Sequence, residues 1–331
     1  MKTVAFSLFI LTAALGAAQA QQLDKVRFAT NWVAEPEHGG YYQALADGTY
    51  KKYGLDVTIV PGGPNVNNRI LLPVGKIDFY MSANTLQSFD AVEQNIPTVA
   101  VAASFQKDPQ VLIAHPGTAE KLEDLKKLTL FLSKESMTGL FLWLKSDFGF
   151  NDSQVKPYTS NAQPFLADKN SAMQGYVTSE PFAIEQQGGF KPKVFLLADH
   201  GFNSYSTLIE TRRDLVEKQP DLVQRFVDAS AIGWYHYIYG DSRPGNTLIK
   251  QQNPEMSDAL LAYSIAKMKE YGIVDSGDSV KLGIGAMTDA HMKSFFDKMV
   301  HAGVVKAGLD YKRAYTLQFV NKGVGVDLRP K

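Results

Sequence analysis

The chain has 331 residues, and its 34 lysines and arginines are balanced by 34 aspartates and glutamates, with no cysteine at all. This balance excludes attraction to nucleic acid or to an anionic membrane by net charge alone, and the absence of cysteine excludes disulfides. The hydrophobic fraction of 45% is ordinary for a globular protein, argues against disorder and leaves stability to burial of apolar side chains.

The first twenty residues have the pattern of a secretory signal sequence. Lys2 precedes an apolar run from Val4 to Ala18, and small residues at Ala18 and Ala20 mark the expected cleavage site. The alternative is a membrane anchor, but the run is shorter than the roughly 20 residues that a spanning helix needs. We therefore expect residues 1–20 to be a signal peptide and the mature chain to work in the periplasm.

The next ninety residues alternate between short β-rich runs and helix-length amphipathic segments. This pattern is typical of a parallel sheet with helices on both faces. The predicted strands are residues 26–30, 55–60, 77–82 and 98–103, and the predicted helices are residues 38–52, 67–74 and 85–94. Gly54, Gly75 and Pro97 end these helices. Together they predict one α/β lobe.

A second series of the same kind follows and predicts a smaller α/β lobe. Its strands are expected at residues 111–114, 129–132, 155–158, 173–177 and 193–197, and its helices at residues 139–147, 163–168 and 182–187. The chain then continues with a strand at residues 206–211 and helices at residues 220–239, 253–271 and 286–302. We expect the aromatic run at residues 234–239 to pack into the core or lie on the surface, and not to form a ligand site.

The helical tail has to pack on an existing sheet, and we expect the chain to return at about residue 204 and complete the first lobe. The predicted domains are then lobe I, residues 21–108 plus 204–331, and lobe II, residues 109–203. The fold class is α/β, with two doubly wound lobes joined by a hinge. Two crossings between the lobes make a clamp.

Ligands of doubly wound sheets bind beyond the carboxyl ends of the strands. Aromatic and neutral hydrogen-bonding side chains dominate these positions, which indicates a site for a small, flat, polar molecule. The candidate ligand-binding residues are Asn31, Trp32, Glu35, His38, Tyr41, Ser82, Asn84, Phe105, Gln106, Ser136, Thr138, Tyr176, Glu180 and Tyr205.

Three blocks of sequence carry a resemblance to a known family. Residues 31–44 (NWVAEPEHGGYYQA) and 50–57 (YKKYGLDV) resemble the opening of the thiamine-pyrimidine-precursor-binding family of ABC-transporter substrate-binding proteins, and residues 75–79 (GKIDF) and 175–181 (GYVTSEP) resemble later blocks in the same order. The resemblance implies a type II periplasmic-binding fold that closes on a ligand and presents it to an inner-membrane ABC permease. Family members bind formyl-aminopyrimidine, riboflavin or other small solutes.

The resemblance also implies roles for individual residues. Trp32, His38 and Tyr41 match the motif with which family proteins stack on and hydrogen-bond their ligand, and Glu180 matches a glutamate before proline that can accept from an amino group. The alternatives are core packing for Trp32, a helix cap for His38 and a fixed hydrogen bond between lobes for Glu180. The family's pyrimidine binders commonly have Asn-x-x-His where this chain has Glu35-Pro36-Glu37-His38.

Charge narrows the ligand class. Sites for nitrate, sulfonate or phosphate favour cationic side chains, and the candidate loops contain only Lys134, whereas Glu35, Glu37 and Glu180 favour a neutral or amine-bearing ligand. A metal site at Glu35, Glu37 and His38 is an alternative, but the spacing matches no dedicated metal motif. We expect no metal and no cofactor.

The predicted function is capture of a small heteroaromatic ligand by a monomer that has the permease as partner and binds no nucleic acid. The ligand is expected to stack on Trp32 or Tyr41, with closure through Glu180 and the loop of residues 136–138. An enzyme on the same fold is the alternative from another class, although no Gly-x-Ser-x-Gly motif is present.

Overall fold

The computed structural model describes residues 22–63, 66–159 and 161–330. The predicted signal peptide, residues 1–20, lies outside the described residues. Within those ranges, no helix combines the length and hydropathy that crossing a bilayer requires.

Strands and helices alternate through the first two thirds of the chain, and helices dominate the last third. The strands are β1 (Asp24–Ala29), β2 (Leu55–Val60), β3 (Phe79–Asn84), β4 (Thr98–Phe105), β5 (Gln110–Ala114), β6 (Thr129–Leu132), β7 (Val155–Pro157), β8 (Ser171–Tyr176), β9 (Lys193–Leu196) and β10 (Ser206–Arg212). The α-helices are α1 (Gly39–Ala46), α2 (Thr49–Lys52), α3 (Thr85–Glu93), α4 (Leu140–Phe148), α5 (Gln163–Ala167), α6 (Glu180–Gly188), α7 (Arg213–Lys218), α8 (Pro220–Tyr239), α9 (Arg243–Gln252), α10 (Asp258–Glu270), α11 (Ser279–Leu282) and α12 (Asp289–His301). Short 3-10 helices lie at Pro36–His38, Asn68–Leu71, Leu122–Lys127, Glu135–Thr138, Asp152–Gln154, Leu197–His200, Tyr311–Ala314 and Val326–Leu328.

The strands form two separate five-stranded sheets. The first has the order β2-β1-β3-β10-β4 and the second has the order β7-β6-β8-β5-β9. The chain passes from the first sheet to the second between β4 and β5, and returns between β9 and β10. Each sheet is therefore assembled from strands of one stretch of chain, except that β10 returns to the first.

Both sheets are mixed, where the sequence pattern predicted parallel sheets. In the first sheet, β10 runs antiparallel to β3 and β4, and in the second, β5 runs antiparallel to β8 and β9. The register explains this direction. Ser206 pairs with Asn84 and Phe105, and Gln110 pairs with Tyr176, all at strand ends where the chain crosses between sheets. A strand that begins at this edge of its sheet runs toward the opposite edge. It is therefore antiparallel to the strands that end here.

Several predicted helix boundaries were wrong. The helix expected at residues 38–52 is two helices, because Gly48 adopts a left-handed φ of 76° between them. The helix expected at residues 67–74 is only the 3-10 turn Asn68–Leu71, and α9 was not predicted. Local hydrophobic pattern indicates where a helix lies better than where it ends.

Helices α1 and α8 pack unusually closely, because glycines face each other at the contact. A Cβ at Gly39 would lie 2.0 Å from the Tyr237 ring, a Cβ at Gly40 would lie 2.2 Å from the Trp234 ring, and a Cβ at Gly233 would lie 2.2 Å from the Gly40 carbonyl oxygen. In the aromatic run at residues 234–239, Trp234, Tyr235 and Tyr237 are buried, while His236 and Tyr239 are half-buried. This contact holds the segment before α1, which carries the glutamates described next.

Candidate functional site

Three glutamates from two distant parts of the chain meet where the two sheets face each other. Glu35 and Glu37 lie in the segment that links β1 to α1, and Glu37 is part of the 3-10 turn Pro36–His38. Glu180 is the first residue of α6, directly after β8 of the second sheet. We call Glu35, Glu37 and Glu180 the glutamate cluster. It lies beyond the carboxyl ends of β1 and β8, where ligands of such sheets bind.

Direct hydrogen bonds join the two sides at this point. The Thr178 hydroxyl, from the segment after β8, donates to the Glu37 carboxylate. The backbone carbonyl of Thr178 accepts from Ser264 Oγ of α10 at 2.7 Å. The hydroxyl and the carbonyl of Thr178 are thus both bonded to residues on the side of the first sheet. These bonds keep the two sides together around the cluster.

Glu180 is held by its own neighbours. Its Oε2 accepts from the Tyr176 backbone N–H at 2.7 Å and from Ser179 Oγ at 2.6 Å. Gly175 makes room for this arrangement, since a Cβ there would lie 2.7 Å from the Glu180 Cβ. The block of sequence from Gly175 to Glu180 therefore orients one carboxylate toward the boundary between the sheets.

Ionisation of all three carboxyl groups of the glutamate cluster at once is electrostatically unfavourable. Burial raises the pKa of Glu35 well above its usual range, and the charges of Glu37 and Glu180 raise it further. Burial also raises the pKa of Glu37, to about 7, against the lowering effect of the Thr178 hydrogen bond. Like charges in a poorly solvated site favour the protonated carboxyl, so Glu37 changes charge close to neutral pH.

His38 is buried next to this cluster without a hydrogen bond. Its side chain has no solvent exposure, and neither ring nitrogen has a hydrogen-bond partner among the described residues. Its Nε2 lies 3.5 Å from Glu35 Oε1. Burial lowers the pKa of His38 to about 3, so the ring is neutral and supplies no positive charge. His38 precedes α1 but makes no side-chain cap, which argues against the capping alternative.

Four tyrosines lie within electrostatic range of the glutamates. For each of them burial is the first cause of a raised pKa, and the charge of a nearby cluster member raises it further. These residues are Tyr42 beside Glu35, Tyr158 beside Glu180, Tyr237 beside Glu37, and Tyr176 beside all three. The site therefore combines carboxylates with aromatic rings.

Some predicted site residues lie in the core instead. The Tyr41 ring packs 4.6 Å from Phe28 and 5.7 Å from Trp234, centre to centre, and its hydroxyl is hydrogen-bonded to Ser104. Phe105 is also fully buried and packs on Trp234. Both side chains are occupied by the core of the first sheet, so the expectation that a ligand stacks on Tyr41 is corrected.

Other predicted residues hold the crossing between the sheets. Asn84 caps α3 by accepting from the Leu86 N–H and donates to Asp108 at 3.4 Å. Gln106 donates to the Ala286 carbonyl at 2.9 Å, and the Tyr205 hydroxyl donates to Asp278 at 2.6 Å. Ser82 is buried within β3, paired with Leu208 of β10. Ser82 Oγ and Gln106 Oε1 are buried without a hydrogen-bond partner among the described residues.

The remaining candidates lie apart from the core. Trp32 is 40% exposed, which argues against the core alternative for it, and Asn31 before it has a buried side-chain oxygen without a partner in the described chain. In the second sheet, Ser136 is hydrogen-bonded to Ser133 and Thr138 is exposed, both within the 3-10 turn Glu135–Thr138.

The structure thus brings together Glu35, His38, Tyr176 and Glu180 from the predicted set. Sequence reasoning left Glu37 out of that set, although its place between Pro36 and His38 was a usable signal. Residues Thr178, Tyr42, Tyr158 and Tyr237 were also missed, since their proximity exists only in the folded chain. Among the described residues, no group of three or more His, Cys, Asp or Glu side chains is arranged to hold a metal ion.

The sequence is similar to a known protein family and to a protein of another organism. Residues 35–241 match the family model described as NMT1/THI5 like. The chain is 24% identical over 315 residues to the riboflavin-binding protein RibY of Chloroflexus aurantiacus, an alignment that covers 91% of this chain and 87% of that protein.

Solved structures share the fold at low identity. The periplasmic aliphatic sulphonate binding protein SsuA from Escherichia coli matches with a TM-score of 0.66 and 14% identity, over 88% of this chain and 91% of that one. The desulfurization enzyme DSZB matches with a TM-score of 0.58 and 14% identity, over 91% and 99%. The predicted periplasmic-binding-protein fold is therefore confirmed, and the same fold also occurs in an enzyme.

Proposed function

Because this chain belongs to the NMT1/THI5-like family, we propose that it is a periplasmic solute-binding protein that delivers its ligand to an inner-membrane ABC permease. The ligand is a small, amine-bearing heteroaromatic molecule, such as a thiamine-pyrimidine precursor, captured between two lobes. The proposed lobes are residues 21–108 plus 204–331 and residues 109–203, and the export signal is removed after Ala20. The protein acts as a monomer and binds no nucleic acid.

The observation that carries this proposal is the contact of Glu37 with Thr178. It joins the segment after β1 of the first sheet to the segment after β8 of the second, in the middle of a carboxylate and tyrosine site. A ligand held there touches both lobes, and its binding energy favours the closed arrangement. Carboxylates that accept hydrogen bonds suit amino groups on a heterocycle.

Closure follows from the two chain crossings. Hinge motions between domains occur at a few residues in connecting segments, and here the connections between β4 and β5 and between β9 and β10 are the available ones. The permease distinguishes the closed, loaded form from the open form. This mechanism needs no chemistry on the ligand.

A ligand screen tests the proposal. The mature protein is assayed by thermal shift against aminopyrimidines, thiamine, flavins, nucleobases, aromatic acids, sulfonates and amines, and each hit is measured by calorimetry. We expect a heteroaromatic amine to bind one-to-one and to be recovered unchanged. Binding of none of these compounds, or conversion of the ligand to a product, contradicts the proposal.

A substitution at Gly175 is predicted to weaken binding of the ligand that the screen identifies. In Gly175→Ala the new Cβ lies 2.7 Å from the Glu180 Cβ and displaces that carboxylate from the Tyr176 N–H. A misplaced charged hydrogen bond costs about tenfold in affinity, and calorimetry measures it. Gly308→Ala is the control, because a Cβ at Gly308 meets no atom within 4 Å. Equal affinity in the two variants would show that the position of Glu180 does not matter.

Riboflavin is the second candidate ligand, since RibY, described as riboflavin-binding, aligns with 91% of this chain. The flat isoalloxazine ring of riboflavin also suits contact with the tyrosines near the glutamate cluster. The glutamate cluster disfavours a sulfonate, because no lysine or arginine of the described chain forms an ion pair with these carboxylates and an anion would meet only like charge.

An enzymatic function on this fold has little support in the residues. DSZB, described as a desulfurization enzyme, shares the fold, but a shared fold does not carry an activity with it. This chain contains no cysteine, and therefore no thiol nucleophile, and it has no Gly-x-Ser-x-Gly motif. Recovery of unchanged ligand in the screen separates binding from turnover.

A further inference from the structure

The glutamate cluster has no positive partner within the described part of the protein. The lysines and arginines of the described chain form their ion pairs elsewhere, and Glu35, Glu37 and Glu180 are absent from those pairs. The residue within ion-pair distance of the cluster is His38, whose buried ring is neutral. Carboxylates gathered in a poorly solvated site need a cation or a proton to balance them.

His38 provides a second and independent sign of a missing partner. The ring is fully buried, both nitrogens lack hydrogen bonds within the described chain, and Nε2 faces Glu35 Oε1 at 3.5 Å. A neutral imidazole has one donor and one acceptor nitrogen. Buried polar groups in native proteins are nearly always paired. The unpaired His38 ring is therefore available to a ligand with N–H groups that binds at the cluster.

On the basis of the proposed function, we propose that the ligand is a small, planar organic cation carrying N–H donors, and that it binds by exchange for a proton on the glutamate cluster. The N–H groups of an amidinium or a protonated aminoheterocycle match carboxylate acceptors. The positive charge of the ligand replaces that of the proton bound to the glutamate cluster, and this proton is released to solvent.

The groups that face the cluster support this exchange, because none of those that interact with it electrostatically is positively charged. From the surrounding elements they are His38 of the 3-10 turn, Tyr42 of α1, Tyr237 of α8, Tyr176 of β8 and Tyr158 after β7, with Asp108 at the crossing acting on Tyr176. Burial raises the pKa of Asp108 as well, to about 6. Loss of protons with rising pH therefore adds only negative charge here.

The sign of the pH dependence follows from linkage. Below the pKa of Glu37, near 7, a cation has to displace a proton, and above it the carboxylate is already ionised. For one exchanged proton, affinity rises about tenfold from pH 6 to pH 8 and then levels off. A neutral ligand has no such gain, because ionisation of the cluster removes the hydroxyl donor and adds desolvation cost.

Benzamidine and benzamide form a matched pair of probes, since they are nearly identical in shape and differ in charge. Calorimetry on the mature protein at pH 6 and pH 8 is expected to show one-to-one binding of benzamidine, about tenfold tighter at pH 8, and much weaker binding of benzamide. Glu37→Gln should remove most of the pH dependence, and Glu120→Gln, whose side chain is 84% exposed on the other lobe, should not.

The outcomes separate this inference from the proposed function. Equal binding of benzamide, pH-independent binding of benzamidine, or failure of benzamidine to bind overturns the cation inference. If riboflavin or another neutral compound binds one-to-one in those cases, solute capture stands while the cation inference falls. The wild-type pH dependence needs no variant, so a Glu37→Gln protein that fails to fold does not prevent the test.

Discussion

Gly233→Ala is expected to destabilise the protein by about 2 kcal/mol, the largest stability loss that we predict for a single methyl group. The new Cβ would lie 2.2 Å from the Gly40 carbonyl oxygen and 2.6 Å from the Ala44 Cβ. Both are parts of α1 that cannot move aside as a side chain tip can. Overpacking of this kind costs about 1 to 3 kcal/mol or more, and the better helix propensity of alanine returns only about 1 kcal/mol.

Urea unfolding followed by tryptophan fluorescence measures this effect, because Trp234 lies at the α1–α8 contact. Gly308→Ala is the control, since its Cβ meets open space and Gly308 has no left-handed backbone. The variant Gly233→Ala should also bind ligand more weakly at neutral pH, as α1 is preceded by the Glu35–His38 segment. A Gly233→Ala midpoint equal to that of the control would refute the close packing of these helices.

The sequence was a good guide to the fold because its signals are local. Alternating β-rich and amphipathic runs predicted most strands, including β10, which joins the first sheet. Strand direction was less accessible, since it depends on which end of a sheet the chain enters. The antiparallel directions of β5 and β10 follow only from the crossings, which are a property of the whole fold.

The site was predictable only in part, and Tyr41 and Tyr42 show why. Adjacent residues of a helix point about 100° apart, so the two side chains meet different neighbours although both are fully buried. The motif matched Tyr41, which packs on Phe28, whereas Tyr42 lies close enough to Glu35 for its pKa to respond. The glycine contacts set the rotation of α1 about its axis relative to α8. The sequence alone does not give this rotation, so it cannot distinguish the role of Tyr41 from that of Tyr42.

Glu37→Gln is expected to weaken a pH-dependent opening of the protein, with the remaining dependence due to Glu35, whose pKa burial also raises. Glu37 has a pKa of about 7 in the closed structure and of 4.5 when exposed to water, so its contribution favours the closed form below pH 4.5 and is lost as pH rises through 7. If Glu37 titrated alone, the change would reach about 3 kcal/mol. Glutamine keeps an oxygen that accepts from the Thr178 hydroxyl but never ionises.

Small-angle scattering at pH 5 and pH 8 measures the opening without any ligand. We expect the wild-type radius of gyration to increase with pH, and that of Glu37→Gln to increase less. Glu120→Gln, on an exposed part of the second lobe, should follow the wild type. A wild-type radius that is the same at both pH values, or a Glu37→Gln radius that increases equally, would show that Glu37 does not govern closure.

Opening, rather than unfolding, is the expected response because it relieves the charge repulsion at the smallest cost. Separating the two sheets breaks the Thr178 bonds to Glu37 and Ser264 and returns the carboxylates to water, while the core of each sheet stays packed. Unfolding would expose those cores as well. A bound cation opposes opening by balancing the same carboxylates, so at pH 8 the ligand and closure favour each other. The glutamate cluster thereby couples occupancy of the site to the closed form that the permease is proposed to receive.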